Sequence, residues 1–118
     1  MCGIIGISSN KSVSANIINS LKKLEYRGYD SAGVATLFDG EINEVKSEGR
    51  VDNLEQNFDL KSLKGNIGIG HVRWATHGVP NSINAHPHSS DNVSVVHNGI
   101  IENSTILKKH LINKGHSF

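Results

Sequence analysis

The chain opens MCGIIGIS (residues 1–8), a stretch that holds its only cysteine directly ahead of an apolar run rich in isoleucine and glycine. Residues 2–8 are too few for a helix and consistent with a buried strand, with Cys2 at its very start. Downstream, Val13, Ile17, Ile18, Leu21 and Leu24 recur on one face of a helix, with Ser12 available as cap and Gly28 beyond the end. Residues 32–38 and 41–46 flank Asp39-Gly40, a dipeptide that tolerates the positive φ angles of a tight hairpin turn, so the two segments should pair antiparallel.

Further along, Val51, Leu54, Phe58 and Leu63 fall at roughly helical intervals, and Gly49 and Asp59 limit how far one helix can run. Residues 67–74 and 93–98 read as strands, separated by a long loop containing both prolines, Pro80 and Pro87. Such loops are where function concentrates. Asn103 should cap a last helix carrying Ile106, Leu107 and Leu111 and stopping near Gly115. The mixture points to an α+β fold without internal repeats or low-complexity tracts.

Composition narrows the function classes. The 118 residues suit one folding unit, or part of one. Lys and Arg total 12 against 11 Asp and Glu, scattered along the chain, so the basic stripe of a nucleic-acid binder is missing and no nucleic-acid partner is expected. There is no secretory leader pattern and no apolar run near the roughly 18 residues that span a bilayer, so the expectation is a cytoplasmic protein without a membrane partner. A lone cysteine makes no internal disulfide, and the sequons at Asn10, Asn92 and Asn103 read as chance in a chain that is not secreted.

The position of Cys2 has a chemical reading. A thiol with a pKa of about 8.5 needs a base to become a strong nucleophile, and once Met1 is removed the α-amine of Cys2, titrating near about 7.7 to 8.0, can serve. One residue then supplies nucleophile and general base. A single cysteine is more often a buried, inert one, so position alone decides little.

Three further stretches add to it: LEYRGYDSAGVA at residues 24–35, GHVRWATHG at 70–78 and VVHNGIIEN at 95–103. With MCGIIGI they resemble the glutamine amidotransferase half of the glucosamine-6-phosphate synthase (glutamine:fructose-6-phosphate aminotransferase) family, in family order and spacing over nearly the whole chain. Other class II amidotransferases share the leading Cys-Gly and an Arg-Gly, whereas EYRGYDSAG looks most like the fructose-6-phosphate enzymes. The resemblance implies an N-terminal-nucleophile hydrolase fold, an αββα sandwich of antiparallel sheets, here incomplete at its C-terminus.

By the same resemblance, Cys2 attacks the glutamine amide while the Asn98 side chain and the Gly99 backbone N–H supply oxyanion donors. Arg73 would grip the α-carboxylate with its planar fork, and Trp74, Thr76 and His77 would line the pocket. Taken singly, Asn98-Gly99 could be an ordinary turn and Trp74 a core residue. Arg27 and Asp30 would form a hydrogen-bonded brace near the N-terminus. The seven histidines, His86-Pro87-His88 above all, lack the spacing of a recognised zinc site, so neither metal nor other cofactor is expected.

The implied partners are glutamine and an ammonia-accepting sugar isomerase domain lying outside this chain, in a full-length protein that could be a homodimer. Residues 2–118 are expected to be a partial amidotransferase domain, weak on its own because the family's aspartate for the glutamine ammonium follows residue 118. An inactive fragment, or the glutaminase part of another class II amidotransferase, stands as the alternative.

Overall fold

The computed structural model describes residues 2–75 and 78–118. Its body is a four-stranded antiparallel sheet in the order β1-β4-β2-β3, built from β1 (Gly3–Ser8), β2 (Ser31–Phe38), β3 (Glu41–Glu48) and β4 (Ile67–Arg73). The hairpin turn between β2 and β3 falls on Asp39 and Gly40, with φ of 53° and 77°. Strand β4 lies centrally: Gly3 of β1 and Ala32 of β2 both pair with Val72, and Ile4 and Gly33 both pair with His71.

Two helices, α1 (Ser14–Leu24) and α2 (Val51–Asn57), cover one face of this sheet. The core they enclose contains Val13, Ile17, Ile18, Leu21, Val34, Val51, Leu54 and Val72, with Ile5 and Ile7 packed against it. A fully buried side chain of this kind contributes about 1.5–3 kcal/mol, so this face supplies most of the stability. Alternation along β4 turns Gly68, Gly70 and Val72 to the helices. A Cβ on Gly68 or Gly70 would come within 2.6 Å of Ile17, so the two glycines let α1 lie close on the sheet. The odd-numbered residues of β4, His71 and Arg73 among them, face the other way.

That opposite face meets residues 84–88. A Cβ on Gly33 would fall 2.1 Å from the His86 carbonyl oxygen, so the segment rests directly on β2 where β2 has no side chain. A small hairpin follows, β5 (His88–Ser90) with β6 (Val93–Val95), and then α3 (Ser104–Asn113), none of whose residues is buried.

Several boundaries differ from the sequence reading. Helix α1 starts at Ser14 with Val13 at the cap position and no side-chain cap bond. Backbone contact fixes its start instead, through Val13 N–H to the Gly65 carbonyl at 3.0 Å, so Ser12 is not the cap. Asn103 occupies the cap position of α3 but its side chain makes no cap bond either. The α3 C-terminus is closed as expected near Gly115, whose φ is 93°, with Gly115 N–H bonded to Ile112 O and His116 N–H to Leu111 O. The helix expected across residues 51–63 breaks at Phe58, whose backbone is extended, and resumes as a single 3₁₀ turn (Leu60–Ser62) capped by Asp59. The strand expected over 93–98 stops at Val95, because the next residues bond to the active-site side chains described below.

Candidate active site

Cys2 sits at the sheet edge beside the C-terminal end of β4. The Trp74 N–H donates to its Sγ at 3.3 Å, and Sγ lies 3.7 Å from the Trp74 carbonyl oxygen. The Cys2 carbonyl is held from two sides, by Arg27 Nε at 3.3 Å and Asn98 Nδ2 at 3.1 Å. The Asn98 amide therefore stands next to the nucleophile although 96 residues separate them.

The turn that follows α1 makes this approach possible. A Cβ on Gly28 would lie 2.5 Å from the Arg73 carbonyl carbon and 2.6 Å from the Trp74 nitrogen, so only glycine lets the turn close on the end of β4. Asp30 ties the same junction: its carboxylate accepts from Ala75 N–H and from Ser31 Oγ, while its N–H donates to the Arg73 carbonyl at 3.1 Å. Arg27 and Asp30 thus form the brace anticipated from the RGYDSAG segment.

A cleft of about 250 Å³ opens here, lined by Cys2, Arg73, Trp74, His86, Gly99 and Ile100 together with His71, Asn84, His88 and His97. Arg73 is 7% exposed, its Nη1 donating to the Val79 carbonyl at 3.3 Å. Its guanidinium reaches the cleft and offers a planar fork of donors that a carboxylate can fit. Trp74 stands at the mouth, half exposed, edge-on to Tyr29 with ring centroids 5.9 Å apart. Gly99 lines the cleft with a φ of 149°. Thr76 and His77 lie outside the described residues.

Histidines form the floor. His71 is fully buried and its ring stacks on that of His86 at 4.4 Å, while His86 and His88 lie 4.4 Å apart in a tilted contact. Burial lowers the pKa of all three, with neighbouring positive charge adding to the effect, and takes His86 down to about 4, so the floor is uncharged at neutral pH. No group of three or more potential metal ligands occurs among the described residues. Sequence reading brought Cys2, Arg73, Trp74, Asn98 and Gly99 to one place. It missed His71, Asn84 and the Trp74 backbone N–H. For His71 a signal existed, since it stands two residues before Arg73 in a strand and so shares its face.

No family model matches the chain. The glutamine–fructose-6-phosphate aminotransferase of Mesorhizobium japonicum is 56% identical over 118 residues, covering 100% of this chain and 19% of the relative. That of Clostridium acetobutylicum is 58% identical over 120 residues, again 100% of this chain and 20% of the relative. The chain thus spans about a fifth of the length of these relatives. Among solved structures, the glutamine phosphoribosylpyrophosphate amidotransferase of B. subtilis complexed with ADP and GMP superposes with a TM-score of 0.81 at 30% identity, over 100% of this chain and 26% of that one. A structure described as the allosteric regulatory enzyme of purine biosynthesis gives 0.83 at 31%, with the same coverage. The chain is α+β, with antiparallel sheet and helices arranged as in these amidotransferases. Over all of its residues it is homologous to the N-terminal region of glutamine–fructose-6-phosphate aminotransferases, and it belongs to the N-terminal-nucleophile glutamine amidotransferase family.

Proposed function

We propose that residues 2–118 are part of a glutamine amidotransferase domain that hydrolyses the side-chain amide of glutamine through a thioester on Cys2. The observation that carries this reading is the cleft shared by Cys2 and buried Arg73, with the Asn98 amide held on the Cys2 carbonyl beside it. Arg73 takes the α-carboxylate, which aims the side-chain amide at Cys2, with Trp74 forming part of the wall. With Met1 removed, the free α-amine accepts the thiol proton and sulfur attacks the amide carbon. The resulting oxyanion is met by the Asn98 Nδ2–H not engaged by the Cys2 carbonyl and by the Gly99 N–H. Collapse breaks the carbon–nitrogen bond. The α-ammonium returns its proton to the leaving nitrogen as ammonia departs, and water then releases glutamate from the thioester.

The names of the relatives support delivery of this ammonia to fructose 6-phosphate by a sugar isomerase domain outside this chain, in amino-sugar synthesis. The test is ammonia release from glutamine by the full-length protein, with alkylation by a glutamine-like electrophile mapped by mass spectrometry. Label on Cys2 and ammonia in the medium are expected. Absence of both overturns the reading.

A further inference from the structure

Asn98 is an exposed residue just past the end of β6, on a segment that has left its strand ladder. Its terminal torsion is a broad, nearly two-fold rotor, so an unsupported amide would turn oxygen and NH₂ toward Cys2 almost equally. An oxygen there would repel a developing oxyanion. Two contacts select the orientation: Asn98 Nδ2 donates to the Cys2 carbonyl at 3.1 Å and, among the described side chains, His71 Nε2 lies 2.8 Å from Asn98 Oδ1.

We propose that His71 is a positioning residue for the oxyanion donor, its Nε2–H fixing Asn98 Oδ1 so that the amide NH₂ is presented at Cys2. The inference rests on the functional reading above, since it gives a role to a residue behind the proposed donor. An amide oxygen only accepts, so the proton of His71 must reside on Nε2. The rest of its surroundings agree: Nδ1 is buried with no hydrogen-bond partner among the described residues, and the ring is clamped against His86. Burial lowers the His71 pKa against the opposing hydrogen bonds of Asn98 and the His97 backbone, so the neutral ring carries one proton, which the contact with Asn98 Oδ1 assigns to Nε2. A side chain serving only as filler would do better as an apolar residue, because a bare buried nitrogen costs free energy that packing does not return. β4 holds the His71 backbone between β1 and β2, with Ile4 and Gly33 as its cross-strand partners, and the ring packs on His86. His71 therefore transmits the rigidity of the sheet to a donor carried on an unpaired loop.

The experiment measures glutaminase kinetics of the full-length protein with His71→Phe, which keeps an aromatic ring but deletes the N–H, and with His71→Gln, which keeps a donor. His71→Phe should lower kcat by about 10- to 100-fold with KM changed less than about 3-fold, and His71→Gln should recover most of the loss. In an Asn98→Ala background, His71→Phe should cost less than about 3-fold more, since there is no amide left to orient. An unchanged kcat in His71→Phe, or a loss that multiplies fully with Asn98→Ala, overturns the inference. If His71→Phe does not fold, nitrogen NMR of the unsubstituted protein labelled in histidine decides. A neutral ring protonated on Nε2 is expected, and the Nδ1–H tautomer overturns the proposal. Ammonia release by the unsubstituted protein tests the functional reading separately. Its absence brings down both, whereas turnover indifferent to His71 brings down this inference alone.

Discussion

The two faces of β4 divide its seven residues between them and do opposite work. Toward the helices the strand shows Gly68, Gly70 and Val72, small or apolar, sealed beneath Ile17 and Leu21. Toward the loops it shows His71 and Arg73, polar groups kept buried by partners: Asn98 for the one, the Val79 carbonyl among others for the other. One face gains stability by excluding water. The other accepts the cost of burying polar groups and obtains fixed orientation for chemistry. The lesson is that stability and catalysis can be changed almost independently, although alternate residues of one strand serve them.

The strongest way to break this separation is Cys2→Ala. Glutamine hydrolysis should fall by at least about 10⁴-fold, with the melting temperature essentially kept. A large drop in melting temperature would mean that the site face also holds the fold. Next, Asn98→Ala should lower kcat by about 100- to 1000-fold and leave KM little changed. Poor glutamine binding with normal turnover would make Asn98 a binding residue instead.

Leu21→Ala probes the helix face. It should cost about 2–5 kcal/mol in denaturant unfolding while activity per folded molecule stays within about 3-fold. Lost turnover in the still-folded fraction would couple the two faces. The smallest effect is acid sensitivity of the site face. His71, His86 and His88 have lowered pKa values in the folded protein, whereas unfolded histidine titrates near about 6.5. As pH falls below about 6.5 the unfolded chain takes up protons that the folded chain refuses, so stability is lost. For His86 the loss ends near its folded value of about 4. Melting temperature should therefore decline from pH 7 toward 4.5, and His86→Gln should flatten the slope. An unchanged slope would remove His86 as a source of it.

The helix face was legible in the sequence because periodicity is a direct record of burial: Ile17, Ile18 and Leu21 announce α1, and Asp39-Gly40 announces the hairpin. Ends of elements were less so. Ser12 and Asn103 are good cap residues that make no cap bond, and Phe58 broke a helix whose apolar spacing ran on past it. On the site face, Cys2, Arg73, Trp74 and Asn98 were named through matched motifs, and the fold brings them near one another. His71 stood inside the matched segment 70–78 and on the face of Arg73, but its contact with Asn98, 27 residues on, and the Trp74 N–H on Cys2 carry no signature in the sequence.

The strand order also sets a timetable for synthesis. Among the described residues β1 joins the sheet only through β4, so Gly3 has no strand partner there until Val72 has been made and has folded back beside it. During that interval the nascent N-terminus is unanchored, and β1 is an apolar segment with open hydrogen-bonding edges. Cys2 is consequently the first site residue to leave the ribosome and among the last to be installed. The delay leaves any residue ahead of Cys2 open to trimming enzymes, and closure of β4 withdraws that access. Trimming measured on chains stalled at increasing lengths should fall sharply once β4 is clear of the exit tunnel, and uniform trimming at every length would refute this timetable.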